Sequence, residues 1–455
     1  MRSNGQSPQP ASRGARGLPR GCLANRSARL LGGAMKTIVL GGGIIGITTA
    51  YYLAKDGHEV HLVDRQSDVA METSFANGGV LHTSEAEPWS QPGMPGKILS
   101  WMGKENAPML LHLSALPSIW RWGLSFMRNC SLDRYRFAAA VNLRLALHAL
   151  AAIKQVRAET NASYDLSQKG TLKIYTRQEA LDKNVAESSL LRPHGMVFEA
   201  VDASGCVAIE PALAPIRHTL AGGIYAAPDE HGDCRKFAME LRKYCQEKLG
   251  VTFHFGTEIR GFSLSGAKVE SLETSNGRLT GDAYVAAMAS YTPALVKSLG
   301  IDLQIYPAKG VTVTVPTASW PDGPQVPIID DARLFGLIRL GDRYRCSGSV
   351  EFTGWNAVPS PTRGKAIVDN VISVFPQFAK CYDPSSAKLW AGLRPMAASG
   401  SPYLGATPIK NLYLNCGHGH LGWTLSCGSS QIVADIVSGR KPAIDTAGLT
   451  LDTHH

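Results

Sequence analysis

Nowhere in the 455-residue chain do eighteen apolar residues run without interruption, so no membrane-spanning helix is expected. The 46 glycines follow no G-X-Y period, which excludes a collagen-like chain. Cysteine is sparse and scattered. Nine residues (Cys22, Cys130, Cys206, Cys234, Cys245, Cys346, Cys381, Cys416 and Cys427) form no C-x-x-C pair, and their number is odd. That pattern fits reduced thiols of a cytosolic protein rather than a disulfide framework or a zinc site. No H-E-x-x-H, Walker loop or G-x-S-x-G occurs. Acidic residues are missing from positions 1–34, which hold six arginines, so the formal charge of +9 leaves only +3 for the remaining chain. A body so nearly neutral has no electrostatic footprint for nucleic acid. With 44% hydrophobic and 18% charged residues, the chain has ample material for a core and is not a disordered type.

The opening 34 residues are rich in Arg, Ser, Gly and Pro and have no apolar stretch suited to secretion. Two readings fit: an organelle transit peptide, or a disordered extension ahead of a misplaced start, with translation beginning at Met35. The second is preferred, because a βαβ pattern begins one residue after Met35 and Gly32-Gly33-Ala34 is compatible with an encoded ribosome-binding stretch.

From Lys36 the sequence reads KTIVLGGGIIGITTAYYLAKDGHEVHLVD. Ile38, Val39 and Leu40 suit a strand buried on both faces. Gly41, Gly43 and Gly46 make G-x-G-x-x-G, helical spacing follows as far as Gly57, and a second strand ends at Asp64. Gly41 allows the tight turn, Gly43 lets the backbone approach a pyrophosphate, and Gly46 lets the helix pack on the strand. The helix N-terminus offers free N–H groups and its positive dipole end to the diphosphate. Asp64 lies 23 positions beyond Gly41, close to the ~20 expected of a carboxylate that binds ribose. Together these elements predict a dinucleotide site without separating NAD from FAD.

Near the C-terminus, Leu412–Leu414 and the run Gly417–Thr424 repeat the order of strand, glycine-rich turn and helix entry. A second helix dipole there suits the anionic form of a reduced flavin, so FAD spanning the domain is favoured.

The motifs VLGGGIIGITTAYYLAKDGHEVHLVDR, ETSFANGG, QKGTLKIY, YPAKGVT, WAGLRPM and NCGHGHLGWTLSCGSS span nearly the whole chain from Met35 to about residue 445. Together they resemble the bacterial FAD-dependent D-amino acid dehydrogenase (D-alanine dehydrogenase small subunit) family, within the D-amino acid oxidase, glycine oxidase and sarcosine oxidase superfamily. The resemblance implies an α/β fold: a Rossmann-like FAD-binding domain, discontinuous in sequence, with an α+β substrate domain built on an antiparallel sheet. The expected FAD-binding segments are 35–84, 130–160, 230–302 and 386–455. The substrate domain takes 85–129, 161–229 and 303–385, with Gly170–Tyr175 and Ile305–Val315 as alternating strands.

The resemblance also implies non-covalent FAD. The expected binding set is Thr37, Ile38, Val39, Leu40, Gly41, Gly42, Gly43, Ile44, Ile45, Gly46, Ile47, Thr48, Thr49, Ala50, Tyr51, Asp64, Arg65, Ser74, Asn77, Gly78, Ile259, Gly419, His420, Leu421, Gly422, Trp423 and Thr424. Ala289 departs from the family, which usually has Gly in that turn. For catalysis the resemblance implies Arg394 as the clamp for a substrate carboxylate, Lys309 near flavin N5, and Tyr306 and His82 on the pocket wall. A planar guanidinium grips a carboxylate with two parallel hydrogen bonds.

The implied reaction passes a hydride from Cα of a small neutral D-amino acid to the flavin, and the imino acid hydrolyses to a 2-oxo acid and ammonia. Electrons then go to a quinone or respiratory-chain acceptor. The alternative is an oxygen-using oxidase of glycine, sarcosine or another secondary amine. The expected setting is the bacterial cytoplasm, with a peripheral contact at the inner face of the plasma membrane. Residues 94–128 bear on that contact, because Trp101, Trp120 and Trp122 stand among Ile119, Arg121, Leu124, Phe126 and Arg128. Trp beside Arg suits a membrane interface, and equally a helix packed on its own protein.

Overall fold

The computed structural model describes Met1, residues 33–101 and residues 109–454. The expectation for positions 1–34 falls almost wholly outside the described residues, as do positions 102–108 of the tryptophan-bearing segment.

Strand β1 (Lys36–Leu40) turns through Gly41–Gly43 into helix α1 (Ile44–Lys55), and the chain returns as β2 (Glu59–Val63). The strands are parallel, with Thr37 opposite Val60 and Val39 opposite Leu62. Gly57, at φ +97°, closes the helix by donating to the Ala54 carbonyl. α1 is buried from Ile44 to Ala54. It therefore carries no polar stripe and lies between the sheet and other helices.

Four further strands complete this sheet, in the order 403–406, 412–416, 283–286, β1, β2, 252–254. All neighbours are parallel except Tyr403–Ala406, which runs against Leu412–Cys416. Stretches of chain far apart in sequence thus share one sheet, as a discontinuous cofactor domain requires.

The larger sheet is mainly antiparallel. At one end of it β5 (Lys388–Ala397) is the edge strand, paired with β3 (Ile305–Pro316), which pairs in turn with β4 (Arg343–Phe352). Two points correct the sequence reading. β5 belongs to this sheet and not to the cofactor domain, because Ile305–Thr314 is its ladder partner, with Ala308 opposite Arg394 and Gly310 opposite Gly392. β3 is buried on both faces from Ile305 to Val315 instead of alternating, since it runs between two layers. β4 also carries a β-bulge: Val311 pairs with Gly348 but Lys309 pairs with Glu351, and Ser349 at φ +55° takes up the extra length.

Helix α2 (Leu116–Asn129) buries Ile119, Trp122 and Phe126, and Trp122 Nε1 donates to the Met396 carbonyl at 2.8 Å. Leu116, Trp120, Leu124 and Met127, at helical spacing, stay exposed. Helix α3 (Leu132–Thr160) follows. It is long and apolar enough to cross a membrane, contrary to the expectation, although 61% of its most apolar window is buried. Asn142 and Arg144 interrupt the apolar run, and Asn142 is a core residue that donates to the carbonyls of Ala86 and Gly400. α3 packs on helix α4 (Gly422–Val437) so closely that a Cβ on Gly428 would lie 2.8 Å from Cα of Ala149. α4 is tied to α1 by Thr48 and Ser430 at 2.7 Å, and Asn415 reaches Thr49 at 2.9 Å.

Candidate active site

Between the two sheets lies a cavity of about 710 Å³. One end is formed by the βαβ unit. Gly41 sits at φ +104°, and a Cβ there would meet the Ala287 carbonyl at 2.7 Å. A Cβ on Gly46 would lie 1.8 Å from the Gly41 carbonyl oxygen, so the helix enters as tightly as the motif requires. Gly43 differs, because its nearest neighbour for a Cβ is Ser74 Oγ at 3.7 Å and the residue lines the cavity. The space it leaves is open to a diphosphate at the positive end of α1.

Asp64 accepts from the backbone N–H of Gly42 at 2.5 Å and of Gln66 at 2.7 Å. Burial raises its pKa, and those two bonds oppose the rise. Arg65 pairs with Glu72 at 2.6 Å and stacks over the Tyr291 ring at 4.3 Å, which gives the adenosine end a flat cationic wall beside Ile259. Ser74 Oγ accepts from the Ile44 N–H at 3.1 Å, and Asn77 Oδ1 from the Gly79 N–H at 3.0 Å. Ala289 lines the cavity at φ +51°. Glycine adopts that conformation without the Cβ clash.

At the other end stands Arg394. Its side chain lies across Gly310, where a Cβ would be 1.8 Å from Nη1. It faces the Trp89 ring at 6.0 Å and makes no ion pair with any described residue. Nη1 is buried without a hydrogen-bond partner, and burial alone pushes the guanidinium down to about 10. A buried cation without a counter-ion is costly unless a ligand supplies the anion. Beyond it, His420 stacks on Trp89 at 5.3 Å. Burial holds His418 and His420 at about 3, so both rings are neutral at ordinary pH. His82 is lowered by burial as well, and its Nδ1 is without a partner.

Orphaned polar atoms also stand in the cavity wall: Asn415 Oδ1, Trp423 Nε1 and Ser349 Oγ all belong to cavity-lining residues. A ligand with several hydrogen-bonding groups along its length, such as FAD, fits that distribution. The profile of the FAD-dependent oxidoreductase (DAO) family matches residues 36–436. The chain belongs to the FAD-dependent oxidoreductase family. It is 42% identical over 420 residues to a D-amino acid dehydrogenase of Allorhizobium ampelinum, covering 92% of this chain and 99% of that one. A D-amino acid dehydrogenase of Paramagnetospirillum magneticum is likewise 42% identical over 419 residues, 92% of this chain and 98% of the other. Among solved structures, glycine oxidase of Geobacillus kaustophilus superposes with a TM-score of 0.72 at 22% identity, over 92% of this chain and 98% of that one. L-proline dehydrogenase of P. horikoshii does so with 0.73 at 15%, over the same shares. Both share the fold of this FAD-dependent oxidoreductase.

The structure gathers Gly41–Ile45, Asp64, Arg65, Ser74, Asn77, Gly78, Ile259, Gly419, His420, Gly422, Trp423, His82 and Arg394 around one cavity. Other expected residues stand behind its wall. Thr37, Ile38, Val39 and Leu40 form β1, and Gly46, Ile47, Thr48, Thr49, Ala50 and Tyr51 form the buried body of α1; they carry the turn without lining the cavity. Leu421 is core, and Thr424 uses its hydroxyl to accept from the His82 N–H at 3.2 Å.

Two catalytic expectations are corrected in the same way. Lys309 alternates with Gly310 along β3 and so points away from the cavity; it is buried against Glu351 at 3.3 Å. Tyr306 is enclosed by Trp122 and Phe352, with its hydroxyl 2.7 Å from Ser118. The sequence reading missed Tyr291, Ser349, Glu85 and Asp331, all of which line the cavity. Only the acidic Glu85 and Glu87, directly after the ETSFANGG loop, offered a signal.

Proposed function

We propose that the protein oxidises D-amino acids, small neutral ones such as D-alanine included, to 2-oxo acids and ammonia. The observation that carries this reading is Arg394, a partly buried, unpaired guanidinium at the end of an FAD cavity. Its two parallel N–H donors hold the substrate carboxylate, which fixes the Cα–H direction. Bound flavin supplies the two-electron acceptor for the hydride that leaves Cα. The neutral rings of His82 and His420 leave the amine side without added positive charge, so a neutral amine is not opposed there. Trp89 and Ile338 give the wall apolar surface. After hydride loss the imino acid takes up water and releases ammonia.

Electrons are expected to go to a quinone or another respiratory acceptor rather than to oxygen. The test compares dye or quinone reduction with peroxide formation, on D-alanine and on sarcosine. Quinone-linked turnover of D-alanine is expected. Peroxide formed fastest from sarcosine would replace this reading with the secondary-amine oxidase.

The location proposed is the inner face of the plasma membrane in a bacterial cytoplasm. Supporting it, exposed Leu116, Trp120, Leu124, Met127, Leu132 and Phe137 are interleaved with exposed Arg121, Arg128, Arg134 and Arg136, and Asp133 is the one acidic residue among positions 116–137. An apolar stripe set among arginines suits an anionic bilayer surface. The holoenzyme is expected to co-sediment with phosphatidylglycerol vesicles at low salt, and a Trp120→Ser, Leu124→Ser double variant to lose most of that binding. Equal sedimentation of the two proteins would place the contact elsewhere.

A further inference from the structure

Arg394 accounts for the substrate carboxylate. The wall beyond it carries a second, oppositely charged feature that the reaction does not use. Trp89 stands 6.0 Å from the guanidinium, and His420 stacks on Trp89 at 5.3 Å. Glu85 and His420 line the same stretch of the cavity. The Glu85 carboxylate is 2.9 Å from Lys173 Nζ, and Lys173 Nζ is 2.6 Å from Asp331. Glu85 and Asp331 line the cavity, whereas Lys173 lies behind them. Burial pushes the Glu85 carboxyl up, but the Lys173 ammonium brings it below its usual range, so it is ionised.

Two carboxylates against one ammonium leave a net negative pole. Asp331 is 59% exposed at its side chain and Glu85 28%, so the pole extends from the interior outward. Each carboxylate gives one oxygen to Lys173, and its other oxygen pairs with no described residue although both side chains line the cavity. His82 also lines this stretch, with its Nδ1 buried and unpartnered. An unpartnered ring nitrogen there and the unpaired Arg394 leave a polar group at each end of this stretch for a ligand to satisfy.

We propose that Glu85 and Asp331 form a side-chain subsite that favours substrates with a cationic side chain over their neutral isosteres and rejects those with a second carboxylate. The inference rests on the D-amino acid reading above and extends it to longer substrates. Arg394 takes the α-carboxylate, and the ammonium or guanidinium of the side chain lies along Glu85 toward Asp331. Lys173 holds both carboxylates in place, and is a positioning residue. Opposite charges separated by a few ångströms in a partly desolvated site outweigh the cost of burying one of them only while the pair is complete.

The test uses charge isosteres on the FAD-loaded enzyme: D-arginine against D-citrulline, and D-glutamine against D-glutamate. The wild type is expected to show higher kcat/KM for D-arginine and for D-glutamine. Glu85→Gln and Asp331→Asn are each expected to reduce both ratios about tenfold, whatever they do to turnover in general. The Asp331 variant, altered at the exposed end, keeps the test open if the Glu85 variant folds poorly. Ratios unmoved in folded, FAD-bound Asp331→Asn and Glu85→Gln proteins would overturn the subsite. So would a uniform loss for every substrate, which would assign Glu85 to the α-ammonium instead. Absence of turnover with every D-amino acid, D-alanine included, would overturn the activity reading itself and the subsite with it. Activity on D-alanine with unmoved ratios would remove the subsite alone.

Discussion

Arg394→Lys is expected to lower kcat/KM for D-alanine by roughly ten- to a hundredfold. Lysine keeps the charge but loses the planar fork, so one charge-assisted bond of a pair goes, at a cost of about 1.5–3 kcal/mol. Both KM and kcat suffer, because the carboxylate is held less well and Cα–H leaves its line of approach. Arg394→Met loses more activity and yet gains stability in the absence of substrate, by about 1–3 kcal/mol, since it removes a partly buried cation that no described residue balances. FAD content stays normal in both. Thermal melts of substrate-free protein and steady-state kinetics on D-alanine and D-alaninamide check this. The amide lacks the negative carboxylate and should be nearly indifferent to Arg394→Met. Equal proportional losses for acid and amide, or a melting temperature that falls, would mean that Arg394 holds the fold rather than the substrate.

The second large effect separates two glycines three positions apart. Gly46→Ala places a methyl 1.8 Å from the Gly41 carbonyl oxygen, against backbone that cannot yield. Strand, turn and helix must then move apart, and a stability loss of about 3 kcal/mol or more follows, with loss of FAD. Gly43→Val meets only Ser74 Oγ nearby. The protein should fold with an unchanged apo melting temperature and still lack FAD, because the side chain fills the place of the diphosphate. In the wild type, acid precipitation should release FAD into the supernatant. Circular dichroism and the flavin absorbance of purified protein read both variants. A Gly43→Val protein that retains FAD would move the diphosphate elsewhere.

These two sites were legible to different degrees. The glycines, Asp64 and the helix entry at Gly422 lie in short continuous motifs whose spacing is the signal, so pattern alone located them. Arg394 was reached only through the resemblance, since a lone Arg in a strand states nothing about the cavity it will face. Lys309 was misplaced because the motif fixes the neighbourhood but not which side of β3 it takes, and Tyr306 because it lies further along the strand, where Trp122 and Phe352 cover it. Gly310, one position from Lys309, has the cavity face instead. Glu85, Lys173 and Asp331 stand far apart in sequence and meet only through the pairing of Ile328–Asp330 with Thr171–Tyr175. The bulge at Ser349 is invisible without its partner strand. The domain boundary at residue 386 failed for a similar reason, as β5 follows its ladder partner across the interface.

The parallel sheet has a temporal side. β1 pairs with β2 early in the chain, but its other neighbour, Ala283–Ala286, is covered in turn only by Leu412–Cys416, and α4 follows that strand. A nascent polypeptide that has not yet delivered these last elements has the glycine turn and lacks the opposite wall, Asn415 through Trp423. Cofactor loading is therefore expected only at the end of synthesis: products that stop short would remain apo, with α3 lacking the helix against which Ala149 packs.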